Sequence, residues 1–248
     1  MSSILHRALV SMTGGANMRE VFVKSSALAL LSTLFSLPYF HYMIFVVADQ
    51  RRFAEGFNPW GFLYGELFVL FFICLLAAMI GFSLSIRFGL PGFGDPVALF
   101  RSIPWLLVLA FGMIVLSYFL FDRYFIAISP LSYPRKSIYL LSLPFKGVFT
   151  DEIILRLCLI TLSVGLFKHR GVAVGFVSAL ASFLTIKYFY FLGIQPGLNY
   201  IFLVQLFLSF LSNFLLGYLF VTRGLLYSMT LKFLFGMKYF AVLWFMGA

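Results

Sequence analysis

Apolar runs of bilayer length recur along this chain, and they leave it few folds. Continuous runs fall at about 27–48, 61–86, 104–121, 148–167, 171–192, 198–221 and 225–246. Each is close to the ~20 residues that a helix needs to cross a hydrocarbon core about 30 Å thick. They do not alternate between polar and apolar residues as the roughly ten-residue strands of a membrane barrel do. The expectation is an all-α fold, a polytopic transmembrane helical bundle with about seven spans. An eighth is open: residues 123–147 are also apolar, but Pro130, Pro134 and Pro144 break them and Arg135 and Lys136 sit among them, which reads as interfacial or re-entrant. Residues 1–26 are expected to form a polar or interfacial N-terminal segment, and 27–248 one transmembrane helical domain.

Composition excludes the soluble alternatives. The chain is 62% hydrophobic and only 10% charged, too little polar surface to clothe a water-soluble domain of 248 residues. The net charge of +10 does not point to nucleic acid, because the basic residues mostly occupy short segments between apolar runs. That placement fits membrane topology and anionic lipid, so the lipid bilayer is the expected partner. Cys74 and Cys158 each fall inside an apolar run and read as buried, unpaired thiols. The glycine- and proline-rich stretch from Arg87 to Pro96 lacks the lysine of a phosphate loop and reads as a turn. His6, His41 and His169 are scattered, so no metal and no cofactor is expected.

Against this background the deep charges stand out. Asp151, Glu152 and Arg156 open the fourth run, and Lys187, Lys232 and Lys238 lie inside later ones. Ionised groups at bilayer depth are costly, and by default mark a site, a relay or a buried ion pair. Arg156 follows Glu152 by four residues, so the two share a helix face. The fourth and fifth runs are joined by a tight turn at Lys168–Gly171, which places Lys187 at about the depth of the acidic pair. The seventh run returns to the same side with Lys232 near its middle. Asp151, Glu152, Arg156, Lys187 and Lys232 are therefore expected to meet in one polar pocket. Three readings stay open for it: an ion-pair cluster that fixes helix register, an ion or substrate pathway, and a hydrolytic site. Lys238, near a span end, is expected to snorkel to the interface.

The order and spacing of these residues resemble the CPBP (Abi, or Rce1-like) family of intramembrane proteases, which includes the CAAX prenyl endopeptidases. The family pattern is E-E-x-x-x-R on one helix, F-x-x-x-H on the next and H-x-x-x-N on a later one. Here the corresponding stretches are Asp151-Glu152-x-x-x-Arg156, Phe183-x-x-x-Lys187 and Lys232-x-x-x-Gly236, within a similar core at 145–240. The resemblance implies a multi-pass protein of a bacterial or archaeal cytoplasmic membrane, with catalytic-motif positions at Asp151, Glu152, Arg156, Lys187 and Lys232. In the family the first acid activates a water, while the histidines and asparagine orient it and stabilise the oxyanion. This chain departs from that set at each step: a shorter acid, lysine for both histidines, glycine for asparagine. A neutral imidazole both accepts and donates, whereas an ammonium only donates and ties up a neighbouring carboxylate. The expectation is a catalytically degenerate scaffold that binds a peptide or a membrane-protein partner. An active glutamate-type endopeptidase with lysine in place of histidine is the alternative, and a transporter or channel component is a third.

Overall fold

The computed structural model describes residues 18–47, 56, 58–129, 132–134, 136–191 and 200–245, without the side chains of 186–191 and 243–245. Every regular element among them is helical. Helix α1 (Met18–Tyr42) continues into a π turn at Met43–Val47 and is followed by α2 (Pro59–Arg87). Helix α3 (Pro96–Ser117) runs through a π turn at Tyr118–Asp122 into α4 (Arg123–Ile128). Next, α5 (Ser137–Lys146), a π-helix (Gly147–Ile160) and α6 (Thr161–Phe167) follow one another directly. The chain ends in α7 (Arg170–Phe191), α8 (Tyr200–Arg223), α9 (Leu225–Gly236) and α10 (Lys238–Phe245).

The expected seven or eight spans are not what the chain forms. Among the described residues, four helices are long and apolar enough to cross a membrane: Met18–Val47, Pro59–Arg87, Pro96–Ile128 and Tyr200–Arg223. The run at 148–167 belongs to a rod that carries Lys146, Asp151, Glu152 and Arg156 in about three turns, so its apolarity is interrupted by charge. The run at 225–246 is broken at Met237 into helices of 12 and 8 residues. The helix over the run at 171–192 is Arg170–Phe191, and its apolar part among the fully described residues is Arg170–Thr185, so it is not one of the four. The open eighth span does not form: Arg123–Ile128 finishes the third of these long apolar helices and Ser137–Lys146 begins the charged rod. The first helix starts at Met18, well before residue 27, and residues 1–17 lie outside the described part.

Local sequence explains where the helices start. Asn58 and Asp95 each stand before a proline at the first helical position, and their side-chain oxygens accept from Trp60 and Gly61 N–H and from Val97 N–H. Both are N-caps that satisfy amides left over at a helix start. The glycine-rich turn does the same for α9: Leu225 and Leu226 donate to the carbonyls of Gly92 and Phe93. That joint needs glycine on both sides. Gly94 and Gly224 have φ of 90° and 104°, and a Cβ on Gly224 would sit 2.6 Å from the Gly94 Cα.

Packing uses small residues. Ser25, Ala29, Ser32 and Ser36 form a fully buried stripe on α1. Ser32 and Ser36 hydroxyls meet Thr150 at 2.8 and 3.1 Å, and Ser32 also meets the Cys74 thiol at 3.3 Å. Such stripes let helices approach closely where apolar contact alone is unselective. On α2, Gly81 lies against the backbone of Leu157, where a Cβ would come 2.4 Å from its carbonyl oxygen. The largest apolar cluster joins α1, α2, the π-helix, α6, α7 and the α8–α9 turn. The outside is apolar as well: Phe68, Phe100, Val108, Phe111 and Leu166 are each at least 66% exposed. An exterior this apolar suits lipid and not water. This is an all-α, membrane-associated architecture.

Candidate functional site

The charged residues of the fourth run lie on the π-helix, which is unusually long at 14 residues. π geometry mostly occurs as single turns, often at functional sites. Pro144 precedes it by three residues. Proline lacks the N–H for an i−4 bond and its ring displaces the carbonyl one turn back, which loosens the ladder at this point. Widening the helix has a direct consequence for Lys146 and Asp151. Five residues apart, they would stand about 140° apart around an α-helix. With i→i+5 spacing they align, and Lys146 Nζ donates to Asp151 Oδ1 at 3.1 Å.

Asp151 is held from both sides. Lys232 Nζ, from α9, lies 3.6 Å from its other oxygen, Oδ2. Gly147 makes room for that lysine, since a Cβ there would be 2.9 Å from Lys232 Cε. Lys146 also stands 5.2 Å above the Tyr39 ring, a cation–π distance. Sequence reasoning did not include Lys146 in the site, because α-helical spacing turns it away from Asp151.

Glu152 and Arg156 form a separate, enclosed pair. Their side chains are 0% and 1% exposed, and Arg156 Nε is 3.5 Å from Glu152 Oε1. The contact is coulombic without hydrogen-bond geometry, and among the described residues both Glu152 oxygens and the Arg156 Nε lack a hydrogen-bond partner. The guanidinium instead spends Nη2 on Asn213 Oδ1 of α8 at 2.7 Å. Asn213 in turn donates to the Ser209 carbonyl at 2.7 Å. Asn213 was visible in the sequence only as one polar residue of an apolar run.

The five motif positions are thus partly assembled. Asp151 and Lys232 touch, Glu152 and Arg156 touch, and the two acids are chain neighbours. Lys187 lies on α7, but its side chain is outside the described residues, and so is the expected meeting of this lysine with the acids. Lys238 does not snorkel. It reaches Asp122 Oδ1 at 2.9 Å and Ser117 Oγ at 3.2 Å. Asp122 is fully buried and also accepts from Ser117 and Tyr133 hydroxyls, each at 2.6 Å. The sequence held no sign of this pair, because its members lie 116 positions apart.

A cavity of about 320 Å³ connects these groups. Asp151, Lys146 and Lys232 line one part and Lys238 with Ser117 another, while Ser209, Ser212 and Asn213 form a polar wall from α8. Glu152 and Arg156 do not reach its surface; Asn213 stands between. Gly236, where the family pattern has asparagine, packs on Pro144, and a Cβ there would lie 2.6 Å from the proline Cα. No group of three or more metal-binding side chains occurs among the described residues. Compared with protein-family models, curated proteins and solved structures, the chain matches none of them.

Proposed function

We propose that this protein is a membrane-embedded binding scaffold of CPBP-like arrangement that lacks peptidase chemistry. Its polar cavity holds a group presented by a partner; the partner class that the resemblance implies is a peptide or a segment of another membrane protein. One observation carries the reading: neither acid is free to act as a base. Asp151 has a lysine on each oxygen. Glu152 is sealed behind the cavity wall beside Arg156. A carboxylate flanked by two ammonium groups is a weak base, and one shut away from the cavity does not reach a water there.

The test is direct. The full chain, purified and reconstituted in liposomes, is expected to leave transmembrane and prenylated reporter peptides intact. Saturable cleavage that disappears in Asp151→Asn or Glu152→Gln would overturn the proposal. The competing reading, an active glutamate-type endopeptidase, draws on the Glu152 carboxylate, whose oxygens accept no hydrogen bond among the described residues. It requires that Lys187→His with Lys232→His raise cleavage, whereas the scaffold reading expects none from that variant either.

A further inference from the structure

We propose that the cavity takes a terminal phosphate group, carried as a monoester by an anionic lipid headgroup or present as free phosphate. The inference rests on the cavity being a binding site, as proposed above, and adds the chemistry of what enters it. Three lysines and one carboxylate line the space, leaving it two positive charges in excess. Asp122 offsets Lys238 from behind, but all the contacts on that carboxylate are internal: Ser117, Tyr133 and Lys238. A cleft lined by one sign of charge within low-dielectric walls concentrates the field on an incoming ion.

A second observation points the same way. Lys232 Nζ faces the cavity 3.6 Å from Asp151 Oδ2 and makes no hydrogen bond among the described residues. Its three N–H donors are available to acceptor oxygens arriving in the cavity. On the α8 wall the Ser212 hydroxyl donates to the Ser209 carbonyl and the Ser209 hydroxyl pairs with Thr185, so the lysines are the principal donors. The type of cation selects among anions. A planar carboxylate is read best by a guanidinium fork, and the nearby guanidinium of Arg156 is withheld behind Asn213. Lysines act as point charges and suit a tetrahedral phosphate. A phosphate monoester carries about −1.5 to −2 at neutral pH and so gains more than a singly charged carboxylate from a positive lining. The volume is at the lower end of the range for small-molecule sites, enough for a headgroup and its first attached atoms.

The experiment is calorimetric titration of the full chain in detergent with short-chain phosphatidic acid, inorganic phosphate, short-chain phosphatidylcholine and a peptide with a free terminal carboxylate. The expected result is saturable binding of phosphatidic acid, with phosphatidylcholine inert. Lys232→Gln should weaken it about ten-fold or more, and Lys232→Arg should retain more of it than Lys232→Gln. Lys146→Gln provides a second variant should the first fail to fold, with the same direction expected. Arg123→Gln, an exposed position outside the cavity, should leave affinity unchanged. Competition by inorganic phosphate identifies the phosphate alone as the recognised group; lipid binding without such competition assigns it to a headgroup. Equal loss in Arg123→Gln and Lys232→Gln would reduce the effect to general surface charge and overturn the inference. Lys232-dependent binding of the carboxylate peptide with none of phosphatidic acid would overturn it while sparing the cavity as a site. Binding of none of these probes would remove both.

Discussion

Asp122 and Glu152 are both fully shielded carboxylates with a cation beside them, yet they are built in opposite ways. Asp122 accepts three hydrogen bonds, from Ser117, Tyr133 and Lys238, and its ion pair is itself one of them. Glu152 accepts none among the described residues, and its cation stands at 3.5 Å with a guanidinium hydrogen bond directed to Asn213. Burial of a charge is tolerable when its lone pairs are filled and costly when they are not. Asp122 therefore looks outward for nothing; it ties α10 to the end of α3. Glu152 is held beside Arg156 by the helix on which both sit.

The comparison is broken most severely by removing one partner of either pair. Arg156→Met should strand the Glu152 carboxylate, and Asp122→Ala should strand Lys238 together with two hydroxyls. Each is expected to destabilise by about 3–5 kcal/mol, read by equilibrium unfolding in mixed micelles. A loss below about 1 kcal/mol in Asp122→Ala would mean that its hydrogen bonds are not what holds α10 in place. A smaller effect separates the two sites by chemistry. Tyr133→Phe removes one charge-assisted hydrogen bond from Asp122 and should cost about 1.5–3 kcal/mol. Glu152 has no such bond to lose, so no counterpart of that variant exists on its side.

Gly236 allows a test of the join between the two regions. It sits on Pro144, at the foot of the π-helix and one residue before the break that separates α9 from α10. Gly236→Ala places a methyl against the proline backbone and should cost about 1–3 kcal/mol through overpacking, against the usual gain of alanine over glycine in a helix. A stabilised variant would show that α9 and α5 can part.

How much of this was legible beforehand depends on which physical rule each residue obeys. Helical class and an apolar exterior follow from run length and composition, which are local properties. The pairing of Glu152 with Arg156 follows from four-residue spacing, and that spacing survives in the wider helix. Lys146 was missed because its partnership with Asp151 exists only under i→i+5 geometry, and the change of helix type originates in packing around Pro144. Asp122 with Lys238 was missed because nothing in a sequence joins positions so far apart. The span number was overestimated for a related reason. Length and apolarity identify a stretch, but a charged stretch such as 148–167, or one broken at Met237 such as 225–246, satisfies the average without forming one long apolar helix.

The smallest expected effect is also the one that discriminates most sharply. Replacing a buried ion pair by apolar residues of similar volume is often neutral or stabilising, because two desolvation costs disappear along with the attraction. Glu152→Leu with Arg156→Met meets that condition closely: the pair has no mutual hydrogen bond, and among the described residues the acceptor left behind is Asn213 Oδ1, at a cost of about 1–3 kcal/mol. The net change should fall within about 1 kcal/mol of zero. The corresponding double replacement, Asp122→Leu with Lys238→Met, removes the acceptor of both Ser117 and Tyr133 and should cost about 2–4 kcal/mol. If the two doubles cost the same, hydrogen-bond filling does not distinguish the sites, and Glu152 must have a stabilising partner. The Lys187 ammonium on α7 is the first group to test for that role, by repeating the Glu152 double in a Lys187→Met background.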